Sequence, residues 1–313
     1  MLVYIPEDIA AEGKDFLTAN GIDYYLGTGT DADTLKKEIQ DADGIIVRTA
    51  KLTRDVLECG RKLKIIARHG AGVDNIDLDY AKEHGIVVTN GPESNTNAVA
   101  EHIAAYVLGC AYMMPQLDDA VRAGDWGIRG RIRLTEIAGK TIGFIGFGKI
   151  GRSAALKLHD GFGMNIIAWS RHLKEAEVPD YVTVMDTMED VLRESDFVSL
   201  CCPANAANAD MISARELQMM KKTAYLINCA RGQLVDEHAL AAALKDGTIR
   251  GAAIDCTKKE PIEKDHPFHT LTNIIMSPHC SSHTPESFGR MALHAAMGIE
   301  EYVHGKLYTW RVV

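Results

Sequence analysis

Short apolar runs alternate with amphipathic segments along the whole chain, and this alternation constrains the fold more than any other feature of the sequence. Such alternation is typical of βα units wound around parallel sheets. Two series of apolar runs predict strands at 2–5, 24–26, 44–48, 64–67 and 86–89, and at 141–146, 165–170, 182–185, 196–202, 224–229, 251–255 and 273–277. The pattern predicts an α/β protein with two doubly wound parallel-sheet domains.

Two long helical segments indicate where the domains join. The segment 97–114 lies between the two strand series, and the segment 287–304 follows the last predicted strand. A length of 313 residues also favours two domains over one. We expect residues 1–97 together with 286–313 to form one domain and residues 98–285 to form the other. A further helix is expected over 53–59, with Thr53 as its cap.

Composition excludes several classes of protein. The chain has 34 Lys and Arg against 43 Asp and Glu, a net charge of -9, so neither nucleic acid nor an anionic membrane is an expected partner. The apolar stretch 98–114 is too short to cross a bilayer, and residues 1–8 resemble a strand more than a secretion signal. Seven cysteines without a CxxC pair predict a cytoplasmic protein without disulfides.

Histidine spacing raises the question of a metal site. His279 and His283 are four residues apart, and His266 and His269 are three apart. Prolines interrupt both segments, so a helical face of paired ligands cannot form there. We therefore predict no metal.

The glycine-rich sequence 146–151, GFGKIG, directly follows a predicted strand and precedes a predicted helix. Gly146 permits a tight turn, Gly148 lets the backbone approach a pyrophosphate, and Gly151 allows helix and strand to pack closely. Lys149 and Ile150 lie at the start of that helix. A dinucleotide-binding Rossmann domain is predicted, although a structural turn or an S-adenosylmethionine site shares a looser form of the motif.

The residues after the second strand of this unit bear on cofactor choice. An acidic residue normally binds the ribose 2′-hydroxyl of NAD at this place. Here Ser170 and Arg171 stand there, followed by His172 and Lys174. Hydroxyl and guanidinium groups suit a 2′-phosphate, so NADP is favoured over NAD. Alternatively Arg171 lies along the adenine or in solvent, and both cofactors are accepted.

Three later segments follow predicted strands, where ligands of open α/β sheets bind. They are NCARGQLVD at 228–236, DCTKKEP at 255–261 and SPHCSSHT at 277–284. Singly, each has an ordinary structural explanation. Together they provide a guanidinium at Arg231, a carboxylate at Glu260 and an imidazole at His279.

With these segments in place, the chain resembles the D-isomer-specific 2-hydroxyacid dehydrogenase family over nearly its whole length. The resemblance rests on those three segments, with the first extended to LINCARGQLVDEHAL at 226–240, and on RHGAGVDNID at 68–77, NTNAVAEH at 95–102 and GKTIGFIGFGKIG at 139–151. It implies a flavodoxin-like substrate domain, a Rossmann domain and an active site between them. It also implies a homodimer joined through residues 98–135.

The resemblance assigns roles to individual residues. Arg231, Glu260 and His279 become the catalytic trio, and the backbone of 70–73, with Ala71, Gly72 and Val73, binds the substrate carboxylate. Arg48, which precedes a threonine, resembles the Arg-Ser pair of phosphoglycerate dehydrogenases. The further cofactor contacts expected on this basis are Cys202, Pro203, Cys229, Ala230, Asp255 and Ser282. The loop 201–208 lacks the usual threonines, and Cys256 and Thr257 replace an expected Val and Phe.

The expected reaction is the reversible, NAD(P)-dependent reduction of a small 2-keto acid to the D-2-hydroxy acid. Arg231 would fork onto the carboxylate and ketone oxygens, His279 would transfer the proton, and Glu260 would fix the tautomer of His279. Glyoxylate or hydroxypyruvate is the preferred substrate, and a D-3-phosphoglycerate dehydrogenase-like activity is the alternative. A dinucleotide-sensing corepressor, an interaction module on the same fold, is the alternative of another class.

Overall fold

The computed structural model describes residues 1–313 and contains twelve strands and eleven α-helices. The strands are β1 (Leu2–Ile5), β2 (Asp23–Leu26), β3 (Gly44–Val47), β4 (Ile65–Arg68), β5 (Val87–Thr89), β6 (Thr141–Ile145), β7 (Asn165–Trp169), β8 (Val182–Val184), β9 (Phe197–Leu200), β10 (Tyr225–Asn228), β11 (Gly251–Ile254) and β12 (Ile274–Met276). The helices are α1 (Ala11–Ala19), α2 (Ala32–Glu38), α3 (Arg54–Leu57), α4 (Leu78–Glu83), α5 (Thr96–Ala111), α6 (Met114–Arg122), α7 (Lys149–Phe162), α8 (Met188–Glu194), α9 (Ala214–Met219), α10 (Glu237–Asp246) and α11 (Pro285–Val303). Each predicted strand corresponds to an observed one.

The chain divides into two compact units. Unit 1 comprises Met1–Thr96 and Ser282–Val313, and unit 2 comprises Asn97–Ser281. No helix in the structure is both long and apolar enough to span a bilayer.

Unit 1 is built on a parallel five-stranded sheet in the order β2-β1-β3-β4-β5. This is the flavodoxin-like order, so the predicted fold of this unit is confirmed. Helices α2, α3 and α4 cover one face of the sheet, and α1 and α11 cover the other. Gly13 lets α1 approach α11 closely, because a Cβ built there lies 2.7 Å from the carbonyl oxygen of Ala292.

Unit 2 is built on a parallel seven-stranded sheet in the order β12-β11-β10-β9-β6-β7-β8. Strands β6 to β11 have the Rossmann order, and β12 adds a seventh strand at one edge. The predicted fold of this unit is thereby confirmed. Helices α5 and α7 cover one face, and α8, α9 and α10 cover the other. The strand order reverses between β6 and β9, so their carboxyl ends form the switch point at which such sheets bind ligands.

The helical segment predicted over 97–114 corresponds to α5, which ends at Ala111, and Met114 begins the separate helix α6. The two helices are not continuous because Pro115 cannot continue α5 and Met113 adopts a left-handed conformation with φ 49°. One local prediction was wrong. Thr53 occupies the position before α3, but its hydroxyl donates to the carboxylate of Asp55 and makes no cap to the helix backbone. The Asp55 carboxylate therefore takes the Thr53 hydroxyl away from the backbone of the helix.

Candidate active site

Gly146 directly follows β6 at the switch point and meets two steric requirements. Its φ is +89°, which favours glycine, and a Cβ built on it lies 2.7 Å from the carbonyl carbon of Cys201. The loop after β6 therefore lies directly against the loop after β9. Gly151 approaches the same turn, with a built Cβ 3.1 Å from the Gly146 carbonyl oxygen.

Gly148 precedes α7 and leaves open space. No atom lies within 4 Å of a Cβ built on it, and no side chain caps the helix. The first turn of α7, with Lys149 and Ile150, thus presents backbone N–H groups that a phosphate can approach. These residues fit the pyrophosphate of a dinucleotide.

The turn after β7 lies beside this glycine loop, since the Gly146 N–H donates to the Trp169 carbonyl at 2.8 Å. Ser170 is half-buried, whereas Arg171, His172 and Lys174 are exposed. Three basic side chains therefore stand where a ribose-binding carboxylate is usual in NAD enzymes.

The carboxyl ends of the other strands carry the remaining candidates. Cys201 and Cys202 follow β9, Arg231 follows β10, Glu260 follows β11 and His279 follows β12. These strands are consecutive neighbours in the sheet. One edge of unit 2 therefore holds the glycine loop, the basic turn and all three proposed catalytic side chains.

His279 and Glu260 form a hydrogen-bonded pair, with 2.8 Å between His279 Nδ1 and Glu260 Oε2. Both side chains are partly exposed, at 45% and 41%. His279 has a left-handed φ of 51°, and its backbone N–H donates to the Asp255 carbonyl at 2.8 Å. Because Glu260 occupies Nδ1, Nε2 is the ring nitrogen left for a substrate.

Asp255 is buried and anchors the loop that carries His279. Its carboxylate accepts the N–H groups of Cys280 at 2.8 Å and Ser281 at 3.0 Å, and the hydroxyl of Ser277. Burial raises the pKa of Asp255, but these hydrogen bonds outweigh it and leave the pKa below its usual range. The ionised form thus holds the loop, and a contact with cofactor stays a prediction.

Helix α5 braces the same loop from one face of the sheet. Tyr106 places its hydroxyl 2.5 Å from Ser277 Oγ, and His102 Nε2 lies 3.2 Å from the same atom. Burial lowers the pKa of His102, so its ring is neutral near pH 7. Sequence reasoning missed these two residues, although His102 belongs to the NTNAVAEH motif.

Arg231 projects from a tightly ordered turn. The Asn228 side chain donates to the Arg231 carbonyl at 2.8 Å and accepts the Ala230 N–H at 3.0 Å. The guanidinium Nη1 donates to the Ala230 carbonyl at 2.7 Å. These bonds fix the backbone of the turn at Ala230 and Arg231 and orient the guanidinium.

Cys256 lies beside the histidine–glutamate pair, and one ligand atom from each of the three residues falls within 4.8 Å of the others. The thiol is buried, and burial raises its pKa far above the ordinary value. A protonated thiol is a poor metal ligand, and the other two side chains already bond each other. The cluster therefore suits proton transfer better than metal binding.

The remaining predicted cofactor contacts are spread over three loops. Cys202 is half-buried with Sγ 3.9 Å from Met211 Sδ, and Pro203 is exposed. Cys229 is buried, and burial raises the pKa of its thiol. Ala230 belongs to the turn described above, whereas Ser282 begins the second segment of unit 1.

In unit 1, the loop 70–73 has backbone N–H groups available for a ligand. Those of Ala71, Gly72 and Val73 make no hydrogen bond within the chain, and all three residues are half-buried. Asn90 holds the loop by donating to the Ala71 carbonyl at 2.7 Å. Successive free N–H groups of this kind can bind an anion.

The backbone around Arg48, unlike the loop 70–73, already binds a carboxylate of the same chain, that of Glu7. The Glu7 carboxylate accepts the N–H groups of Arg48 at 3.2 Å, Thr49 at 2.8 Å and Ala50 at 3.0 Å. The Arg48 guanidinium donates to the Asp8 carbonyl at 3.0 Å and lies over the Phe288 ring. No local pattern links Glu7 to a segment about forty residues away, so sequence reasoning missed it.

Comparison with known proteins agrees with this geometry. Residues 104–281 match the model of the NAD-binding domain of the D-isomer specific 2-hydroxyacid dehydrogenases. The chain belongs to this family. The resemblance drawn from the six sequence motifs is thereby confirmed.

Individual members of the family cover the chain to different extents. A D-3-phosphoglycerate dehydrogenase of Methanocaldococcus jannaschii is 39% identical over 90% of this chain, and the chain spans about half (54%) of that relative's length. A glyoxylate reductase of Aeropyrum pernix is 36% identical, over 88% of this chain and 84% of that enzyme. The structure of an NADPH-dependent glyoxylate/hydroxypyruvate reductase of Sinorhizobium meliloti matches with a TM-score of 0.88 and 27% identity, covering 100% and 97% of the two chains.

The glycine loop yields a first prediction. Gly146→Ala should lower the free energy of unfolding by roughly 2 kcal/mol or more and weaken dinucleotide binding, because the new methyl group strains φ and meets backbone of the next loop. Gly161→Ala, in open space within α7, is the matched control and should be neutral or slightly stabilising. Urea unfolding and NADPH titration measure both; equal effects of the two substitutions would contradict the steric account.

Proposed function

We propose that this protein catalyses the reversible, NAD(P)-dependent reduction of a small 2-keto acid to a D-2-hydroxy acid. The observation that carries the proposal is the His279–Glu260 pair, at 2.8 Å, on the sheet edge that also holds Arg231 and the glycine loop. An imidazole held by a carboxylate can give and take a proton near neutral pH. Relatives named as glyoxylate reductase and phosphoglycerate dehydrogenase support the same reaction class.

The protein residues supply the proton, the charge and the orientation. When bound, the nicotinamide supplies the hydride that reaches the carbonyl carbon. The electron pair of the C=O bond then moves to the oxygen, which takes the proton from His279 Nε2. Glu260 keeps the ring in the required orientation and stabilises its cationic form before the transfer. Oxidation of the hydroxy acid reverses each step.

Two groups are proposed to bind the substrate carboxylate. Arg231 can donate two parallel hydrogen bonds, one of which also polarises the ketone oxygen. The free N–H groups of Ala71, Gly72 and Val73 offer a second set of donors without a charge of their own.

We infer that a short, unphosphorylated keto acid such as glyoxylate or hydroxypyruvate is the substrate. The resemblance to phosphoglycerate dehydrogenases assigns the Arg48 segment to the substrate side. In this chain the Glu7 carboxylate accepts the hydrogen bonds of the N–H groups in that segment. A phosphate placed there would therefore meet a negative charge in place of free donors. Phosphoglycerate dehydrogenase activity remains the second candidate, supported by the relative from Methanocaldococcus jannaschii.

NADP is proposed as the preferred cofactor. The exposed cations Arg171 and Lys174 and the imidazole of His172 follow β7, and neither position 170 nor 171 is acidic. The Sinorhizobium meliloti relative, which is named as NADPH-dependent, has the same fold.

We also propose a cytoplasmic homodimer. Around α6, the apolar side chains of Met114, Val121, Trp126 and Leu134 are exposed by 46% or more. Such a surface is costly in water and typical of subunit contacts. All seven cysteines are free thiols, which suits a reducing compartment.

The catalytic pair gives the principal test. His279→Gln should lower kcat of keto-acid reduction by about 10² to 10⁴ while NADPH binding stays nearly unchanged, since only the proton donor is lost. Glu260→Gln should be milder and should shift the fall of reductase activity with rising pH to lower pH, because the imidazolium loses its partner charge. Steady-state pH profiles measure both effects; a His279→Gln enzyme with most of its kcat would remove His279 from the mechanism.

Cofactor choice gives another prediction. A charged hydrogen bond to the 2′-phosphate is worth roughly 1.5 to 3 kcal/mol, so kcat/KM should be about tenfold to hundredfold higher with NADPH than with NADH. Ser170→Asp combined with Arg171→Ala should reverse the order. A wild-type preference for NADH would mean that Arg171 points away from the ribose.

Substrate choice is tested at Glu7. The wild-type enzyme should have a higher kcat/KM for hydroxypyruvate than for phosphohydroxypyruvate, by about tenfold or more. Glu7→Ala should narrow that ratio because it frees the three N–H donors, whereas Asp8→Asn, at the exposed neighbouring carboxylate, should not. Preference of the wild-type enzyme for the phosphorylated substrate would instead favour the phosphoglycerate dehydrogenase alternative.

A further inference from the structure

Glu237 is a buried carboxylate that the proposed reaction does not use. It is the first residue of α10 and is only 9% exposed. A buried carboxylate needs strong hydrogen-bond partners, because removing its charge from water is costly. Its partners therefore show what the residue does.

Each oxygen of Glu237 holds one end of the loop that carries Glu260, which we call the Glu260 loop (residues 257–266). The Lys258 backbone N–H donates to Oε1 at 2.7 Å, and His266 Nε2 lies 3.2 Å from Oε2. The Phe268 N–H donates to His266 Nδ1 at 3.3 Å, so Nε2 carries the proton and donates to Glu237. One side chain thus closes the loop at its beginning and at its end.

Glu260 has little else to hold it. Its side chain is 41% exposed, and most residues around it are exposed as well. Apart from the bond of Oε2 to His279, its carboxylate accepts one hydrogen bond, from the Thr257 N–H to Oε1 at 3.2 Å. That N–H belongs to the residue directly before Lys258, the residue that Glu237 fixes. Anchoring the backbone at Lys258 therefore also sets the donor that orients Glu260 toward His279.

The beginning of the Glu260 loop also packs against the turn that carries Arg231. Gly232 follows Arg231, and a Cβ built on it would lie 2.1 Å from the carbonyl carbon of Thr257 and 2.4 Å from the Lys258 nitrogen. The turn of Arg231 and the start of the Glu260 loop are thus in backbone contact, and Glu237 reinforces that contact a few residues later.

We propose that Glu237 is a positioning residue: with His266, it holds the Glu260 loop so that Glu260 meets His279 in register with Arg231. The inference rests on the function proposed above, in which Glu260 acts through His279. Glu237 makes its hydrogen bonds to Lys258 and His266, at the two ends of the loop, so its effect on the Glu260–His279 pair passes through the loop.

Other ionisable side chains lie near Glu237, but none of them takes over its bonds to the two ends of the loop. His238, Lys259, Glu263 and Asp265 line a pocket of about 250 Å³ beside it, together with Lys258 and His266. The Lys258 ammonium pairs with Asp210, and Lys259 pairs with Glu263 at 2.6 Å. Glu263 therefore offers a matched control: it is an acid of the same loop that makes only an exposed ion pair and backbone bonds.

The test is a double-mutant cycle on reduction of glyoxylate with NADPH. Glu237→Gln keeps an acceptor for Lys258 but turns an amide toward the His266 N–H, so the far end of the loop is released. We expect kcat to fall about tenfold with KM for NADPH unchanged, and the alkaline fall of activity to move to lower pH, as in Glu260→Gln. Glu263→Gln should leave both unchanged.

The cycle separates positioning from general destabilisation. In the Glu260→Gln background, Glu237→Gln should have almost no further effect on kcat, because the group through which it acts is already gone. Multiplication of the two effects would overturn the proposal, as would a wild-type pH profile in Glu237→Gln. If Glu260→Gln alone leaves kcat and pH profile unchanged, the proposed function fails instead.

A measurement that does not depend on turnover distinguishes a loss of positioning from a loss of folding. The imidazole resonance of His279, assigned by its loss in His279→Gln, can be titrated by NMR in each variant that retains the wild-type circular dichroism. We expect its midpoint to move to lower pH in Glu237→Gln and to stay in place in Glu263→Gln. An unmoved midpoint in Glu237→Gln would overturn the proposal.

Discussion

The buried carboxylate of Asp255 is the interaction on which the site depends most. It lies at the end of β11 and accepts two backbone N–H groups and a hydroxyl from the loop after β12. A buried acceptor left without partners would cost several kcal/mol. The requirement to satisfy it draws that loop across the sheet edge and gives His279 its left-handed backbone.

From this anchor the rest of the edge follows in steps. Each strand end in the order β12, β11, β10, β9 and β6 is joined to a neighbour by backbone contact or a buried polar bond. Gly146 and Gly232 permit the two closest approaches, in which no side chain would fit. The imidazole of His279, its carboxylate partner, the Arg231 guanidinium and the glycine loop thereby lie at one edge of the same sheet, which is the kind of fixed placement that the proposed acid–base catalysis requires.

Sequence alone predicted the parts of the fold that repeat a local rule. The apolar runs gave all twelve strands, and the GFGKIG turn gave the switch point, because period and glycine placement are local signals. In unit 2 the carboxyl end of each strand was predicted one or two residues too far along the chain, as at 196–202 against Phe197–Leu200, because these residues leave the sheet to form the loops. The break before α6 depends on a single proline within an otherwise apolar helical pattern.

From the sequence, the site could be predicted as a set of residues and in one contact, the hydrogen bond between Glu260 and His279, but not in its long-range contacts. Arg231, Glu260 and His279 stand in motifs, and their roles in catalysis stay predictions. The carboxylate of Glu7 on the Arg48 segment and the link from Glu237 to His266 depend on tertiary approach across 41 and 29 residues, for which no spacing rule exists.

The central claim is that the protein reduces short 2-keto acids with a nicotinamide cofactor, by means of the residues at the carboxyl edge of the unit 2 sheet. The most direct measurement follows NADPH and NADH oxidation with glyoxylate, hydroxypyruvate, pyruvate, larger 2-keto acids and phosphohydroxypyruvate, together with the configuration of the product. The account predicts rapid turnover with glyoxylate or hydroxypyruvate and formation of D-glycerate from the latter. Tight binding of the dinucleotide without turnover of any keto acid would contradict it and would instead indicate a dinucleotide-sensing interaction module.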